Sequence, residues 1–291
     1  MDPSIYQPWL VGVGVGTLIA AIIGGLFLKA KPSADGRAFS IRIGSLWPGA
    51  LMIGVCAIAG WAGLMKSAPH WPPTASDDRL GWVFVFAAIL CIFAGLLQRS
   101  FAVRAGLAGM TAIVAAAFTL YSPSSGLNAL GGKVVPIGLS ALGMVIAAGA
   151  LTSLEWRGRR TSTSFIVAGL AMAVGAALIA SGSSKFGFFT WSIVPAAAIA
   201  TAICAFRKGA AIGSAAHVCA ACVLGATLVA GFSYSELSWW SAAIFAICPL
   251  LALVADAVLT PMLKPRMAAA ACVLAAAIPA AVAIVISAKF S

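Results

Sequence analysis

Ten uninterrupted apolar stretches, each long enough to cross a bilayer, account for almost all of this chain. They run Trp9 to Leu28, Leu46 to Met65, Gly81 to Leu97, Val103 to Leu120, Val134 to Leu154, Ser164 to Ala180, Phe188 to Phe206, Ala210 to Gly231, Trp239 to Leu259, and Met267 to Ala288. The third, fourth and sixth are the shortest. A spanning helix needs about 20 apolar residues to cross a hydrocarbon core of roughly 30 Å. Only 9% of the 291 residues are charged, against about 25% in a soluble domain. That is too little charge to build a water-facing surface, so lipid must be the solvent for most of the exterior. In lipid every backbone amide must be satisfied within its own segment, which selects helices. A membrane β-barrel would show alternating strands of about 10 residues, and these runs are continuous and longer.

The expected fold is therefore all-α: a polytopic transmembrane helix bundle of about ten spans. Residues 1–291 are read as a single integral-membrane domain with no soluble domain. The longest connections, residues 29–45, 66–80 and 121–133, all fall below the roughly 50 residues of an independent domain. No positive charge precedes the first span in Met1 to Ser4, so that span reads as a retained helix and not a signal peptide.

Cytoplasmic loops collect Lys and Arg. With the N-terminus outside, the inner side holds Lys29, Lys31, Arg37, Arg42, Arg99, Arg104, Arg157, Arg159, Arg160, Arg207, Lys208, Lys264 and Arg266, which is 13 of the 18 basic residues. The outer side holds Lys66, Arg79, Lys133, Lys185 and Lys289. This alternation supports ten spans, both termini outside, and a bacterial cytoplasmic (inner) membrane. It also accounts for the net charge of +11 as a record of topology and of attraction to anionic lipid. No loop is long enough for a nucleic-acid-binding module, so nucleic acid is not an expected partner. Aromatic residues agree with the orientation: Tyr6, Trp9, Trp61, Trp71, Trp82, Tyr121, Trp191, Tyr234, Trp239 and Trp240 fall on the outer side, Trp47 and Trp156 on the inner.

Ten spans invite a five-plus-five inverted repeat, yet residues 9–154 and 164–288 share no self-similarity. Pro195, Pro249 and Pro279 sit near the middle of the seventh, ninth and tenth spans, while Pro48 and Pro136 of the first half sit at helix starts. Mid-span prolines free a carbonyl and kink the helix. These three mark a candidate cavity-lining region, or else helices whose neighbours satisfy the freed carbonyls. Gly12 with Gly16, and Gly209 with Gly213, form small-xxx-small steps for close helix approach, within the chain or against a partner.

Asp256 is the most informative polar residue. A carboxylate inside a span must face protein or water, and it lies about 6 Å from the inner end at 1.5 Å per residue. His217, about 10 Å deep from the same side, is the candidate second member of a coupling pair, because histidine titrates near neutral pH. The other reading pairs Asp256 with Arg207, Lys264 or Arg266 as an inner-rim lock. His217, Cys219 and Cys222 form H-x-C-x-x-C, but a structural zinc wants four ligands and buried thiols commonly act as small packing residues. No metal or cofactor is expected. With only His70 and His217, on opposite sides of the membrane, bis-histidine haem within the chain is excluded. In the loop of His70, either His70, Asp77 and Asp78 bind a cation, or Ser76 or Asp77 caps the third helix.

No catalytic motif for intramembrane proteolysis and no P-loop is present, so the chain is not read as an enzyme. Two function classes remain. One is a permease-like carrier of a small solute, with the path through the proline-bearing half. The other is a non-catalytic structural or assembly subunit, with other membrane proteins as partners.

Overall fold

The computed structural model describes residues 3–27, 46–67, 69–71, 73, 75–96, 101–120, 134–207 and 210–289, excluding the side chains of 3–5, 46, 101, 102 and 104. Asp2, Lys29, Lys31, Asp35, Arg37, Arg42, Pro72, Arg99, Tyr121, Lys133, Lys208 and Gly209 lie outside the described residues. Eleven helices follow in order: α1 (Pro3–Phe27), α2 (Leu46–Met65), α3 (Ser76–Leu96), α4 (Phe101–Leu120), α5 (Val134–Trp156), α6 (Arg160–Ala180), α7 (Ser184–Trp191), α8 (Val194–Phe206), α9 (Ser214–Tyr234), α10 (Trp239–Leu259) and α11 (Pro265–Lys289). No strand occurs among the described residues. Among the described residues, nine apolar helical segments are long enough to cross a membrane, one of them formed by α7 and α8 together. The apolar part of α4, Ala105–Leu120, is shorter. The other two short stretches lengthen, because α3 begins at Ser76 and α6 at Arg160, taking in polar residues at their ends.

Side-chain contacts sort the helix ends into two groups. At one end, Arg79 Nη1 donates to the Tyr234 hydroxyl at 3.0 Å, and that hydroxyl donates to the Thr119 carbonyl at 2.8 Å. Lys185 Nζ donates to Asp77 at 3.1 Å. The starts of α3 and α7 thus meet the ends of α4 and α9. At the opposite end, Arg159 pairs with Asp256, the Ile212 N–H reaches Glu155, and Arg207 Nη1 donates to the Gly25 carbonyl at 3.1 Å. Chain segments therefore run alternately between a Tyr234 end and an Arg159 end.

Helix α9 is the hub. It packs against α2, α3, α4, α5, α6, α7 and α10, and its Ala-, Gly- and Cys-rich sequence leaves room for so many neighbours. The helices α1, α10 and α11 lie at the periphery and expose Leu10, Leu18, Ile22, Val254, Leu274 and Ile278. An apolar surface of this extent exceeds what a water-soluble monomer carries, so these faces contact hydrocarbon.

Gly12 and Gly16 turn inward within the chain: they sit against Cys56, Ala59 and Gly63 of α2, with no space for a Cβ at Gly12. The seventh apolar stretch breaks at Ser192–Ile193, with Pro195 in the first turn of α8. Polar groups beside the break are bonded locally, where the Phe188 carbonyl accepts the Ser192 N–H at 3.1 Å and further donors as well. Trp9 Nε1 lies 3.2 Å from the Phe188 carbonyl and 3.1 Å from Ser192 Oγ, and Ser192 Oγ donates to the Phe188 carbonyl at 2.9 Å. Helix α1 is thereby docked on the break. Trp9 is a hydrogen-bonded packing residue here, and so is Trp61, which is completely buried and donates to the Asp77 carbonyl at 2.9 Å. Helix pairing differs between the halves: α6 packs closely on α11, and α1 makes no comparable contact with α5.

Candidate functional site

Three features could support chemistry or binding. The first is the Asp256 cluster at the Arg159 end. Asp256 is 2% exposed and lies one turn before the end of α10. Arg159, in the short α5–α6 connection, donates from Nε to Asp256 Oδ1 at 2.7 Å, from Nη2 to Thr260 Oγ1 at 2.9 Å, and from Nη1 to the Pro265 carbonyl at 3.2 Å. Thr260 donates to the same Oδ1 at 2.8 Å, and Arg157 stands 3.8 Å from Oδ2. One guanidinium thus ties the α5–α6 turn to the ends of α10 and α11. Among the described residues, the charged partners of Asp256 are the two arginines of that turn, whereas Arg207 reaches Gly25 of α1.

The second feature surrounds His217, which is fully buried in the first turn of α9. Its Nδ1 lies 3.3 Å from Thr152 Oγ1 and 3.7 Å from Glu155 Oε2. Glu155, itself buried, accepts the Ile212 N–H at 2.8 Å and the Gly213 N–H at 3.3 Å on Oε1. Those N–H groups precede α9, where helical donors lack intrahelical partners and the helix dipole favours an anion. Gly213 holds φ of 85°, in the left-handed region where glycine is favoured. His217 and Asp256 therefore belong to separate polar clusters, with α5 packed against both α9 and α10. Glu155 counts in the sequence as one of the charges at the membrane rim. The signal that it turns inward is its spacing from Ala148 and Leu151, at i+7 and i+4 on the buried stripe of α5.

The third feature is an apolar cleft of about 490 Å³ between α5, α9 and α10. It extends from the Tyr234 end to mid-span, bounded by Leu139, Met144, Leu151, Leu228, Trp239 and Pro249, and Ser140 supplies the hydroxyl of its wall. Exposed Val135, Leu139 and Trp239 mark its open side. Of the three mid-span prolines, Pro249 lines this cleft; Pro195 and Pro279 do not. Asp256 lies seven residues beyond Pro249, about 10 Å further along the helix.

At the Tyr234 end, the loop of His70 is held by protein contacts. The His70 N–H lies 3.5 Å from Asp78 Oδ1, Trp82 donates to the His70 carbonyl at 2.9 Å, and Asp77 is paired with Lys185. Cys219 and Cys222 are buried in α9. Among the described residues no three His, Cys, Asp or Glu side chains are grouped to hold a metal ion.

These helices and their lipid-facing surfaces define a polytopic helical membrane protein. The chain matches no protein-family model, and no curated protein matches it.

Proposed function

We propose that this protein is a permease-like carrier whose cargo is a small apolar or amphiphilic solute taken up from within the bilayer. The observation that carries this reading is the cleft between α5, α9 and α10. Its volume of about 490 Å³ falls in the range of roughly 300–1,000 Å³ typical of small-molecule sites. Its walls suit an alkyl or ring system, and Ser140 supplies a hydroxyl but no charge to an ion or a sugar. The proline in its wall leaves the Phe245 carbonyl without its usual helical donor, a feature of helices that bend.

The reading includes ten crossings, with α4 as the short one, and both chain ends outside. The alternation of segments between the Tyr234 and Arg159 ends supports it. Arginines gathered at the Arg159 end fit an inner, cytoplasmic face, and a bacterial inner membrane suits that charge bias. The carrier has no catalytic role in this reading. A second reading, a non-catalytic subunit of a larger membrane complex, draws support from the Asp256 cluster, whose hydrogen bonds all serve to hold helices together.

Proteoliposomes distinguish the two. Wild-type protein should accelerate the efflux of NBD-labelled hexanoate over empty liposomes, and Ala246→Trp, which fills the cleft, should abolish the acceleration without changing the thermal midpoint. Wild-type efflux equal to that of empty liposomes refutes carriage of this cargo class. Efflux unaffected by Ala246→Trp removes the cleft from the path.

A further inference from the structure

We propose that His217 and Glu155 form an intramembrane proton-binding site, in which the proton adds to His217 Nε2 and the Glu155 carboxylate is its counter-charge. The argument begins with Glu155. A buried carboxylate is tolerated when it is hydrogen-bonded and its charge is balanced. Two backbone N–H groups meet the first need on Oε1. Among the described residues, the ion-pair contact of Glu155 is with His217.

The tautomer of His217 follows from its surroundings. Nδ1 faces the Thr152 hydroxyl at 3.3 Å and a Glu155 carboxylate oxygen at 3.7 Å. A hydrogen on Nδ1 faces two acceptors, the Thr152 hydroxyl oxygen and a carboxylate that only accepts; we therefore assign the hydrogen to Nδ1 and the lone pair to Nε2. Nε2 is buried and has no hydrogen-bond partner among the described residues. Adding one proton there produces an imidazolium beside a carboxylate. No other bond changes, and the pair passes from net negative to neutral.

Of the other charged groups around α9, Arg160 stands at the same end, and the rest named here are engaged elsewhere, lie at the far end or fall outside the described set. Asp256 of α10 is held by Arg159. Asp77 and Lys185 pair at the Tyr234 end, where Asp78 meets the His70 N–H and Arg79 reaches Tyr234. The one charged residue of α4, Arg104, has its side chain outside the described set. On α6, Arg160 stands within electrostatic range of Cys204, which also senses Glu155. The thiols nearby are Cys91 of α3, which meets Cys219 and Cys222 of α9, and Cys56 of α2, which faces Ala196 of α8.

The site adjoins the cleft. Leu151 and Ala221 line the cleft, and Glu155 and His217 lie one turn beyond them on α5 and α9, about 6 Å along each helix. Proton uptake itself does not rest on the carrier reading, because it is measured on protein without solute.

Two labels isolate the site. His70 and His217 are the only histidines, and Glu155 and Glu236 the only glutamates. Protein carrying ¹⁵N-histidine and ¹³C-carboxylate glutamate is titrated in detergent micelles from about pH 4.5 to 8.5, the range that brackets histidine. The expected result is conversion of the His217 ring from a neutral Nδ1–H tautomer to imidazolium while the Glu155 carboxylate stays ionised. In Glu155→Gln, which keeps an oxygen acceptor for Ile212 and Gly213, the midpoint should fall by about one pH unit or more. A His217 ring that stays neutral throughout overturns the proposal, as does an unchanged midpoint in Glu155→Gln. If that variant does not fold, the wild-type spectra still decide: a Glu155 carboxyl that takes up the proton in place of His217 overturns the assignment.

Discussion

Removing Arg159 tests what Asp256 does. In Arg159→Ala, Asp256 loses a 2.7 Å charge-assisted hydrogen bond, while Thr260 and the Pro265 carbonyl lose their guanidinium donors. A hydrogen bond to a charged group contributes about 1.5–3 kcal/mol, and breaking a buried ion pair by removing one partner costs about 3–5 kcal/mol. Arg159 is 13% exposed, and Arg157 at 3.8 Å remains near the other carboxylate oxygen. Both facts reduce the loss, so a cost of about 3 kcal/mol is expected, at the low end of the buried range. Arg157→Ala should cost under about 1 kcal/mol, because that side chain is 52% exposed and its longer contact is screened by solvent. The chain carries its own reporter for unfolding: Cys56, Cys91, Cys219, Cys222, Cys248 and Cys272 are free and buried. A thiol-reactive dye on protein in detergent micelles should show a midpoint lowered by several degrees for Arg159→Ala and scarcely moved for Arg157→Ala. Asp256→Ala combined with Arg159→Ala should cost less than the sum of the two single changes. An Arg159→Ala midpoint within error of wild type would refute the lock. So would an Asp256→Asn variant that unfolds normally yet loses all proton-driven flux, since Asp256 would then be a coupling residue.

Further outcomes follow from the packing. Gly12→Leu should separate α1 from α2, because the Ala59 carbonyl leaves no room for a side chain; a cost of about 1–3 kcal/mol and loss of a Gly16→Cys to Ala59→Cys crosslink would be read by unfolding and by gel mobility. Trp9→Phe should cost about 1 kcal/mol by removing the indole donor at the α7–α8 break, measured by the same dye assay; no change would mean the break is satisfied without α1. Single cysteines at Gly158 and Ser235, in a background with the native thiols replaced, should be labelled by a membrane-impermeant maleimide from opposite sides of the membrane; labelling from one side refutes the alternation.

Sequence reasoning and the structure part company at the charged residues. Asp256 stands out in the sequence as a carboxylate needing a partner, since that need follows from its depth in an apolar run. Its partner Arg159 is missed because hydropathy places that residue in a loop and says nothing of where the loop folds back. His217 stands out for the same reason as Asp256, and pairing it with that acid is natural for consecutive spans. The placement of Glu155 at the buried start of α9 is what gives His217 a carboxylate. Pro195 reads as a mid-span irregularity and breaks the helix; that Trp9 bonds to Phe188 and Ser192 beside the break depends on how α1 docks.

What the sequence by itself determined is helix formation and burial in lipid. Both follow from local properties, the hydropathy of about 20 consecutive residues and the requirement that each amide be paired within its own segment. Which charges meet, where the cleft opens, and which helix lies at the centre were decided only by tertiary structure. Those outcomes depend on the rotation of each helix about its axis and on its choice of neighbours, and both are set by the packing of many small side chains at once.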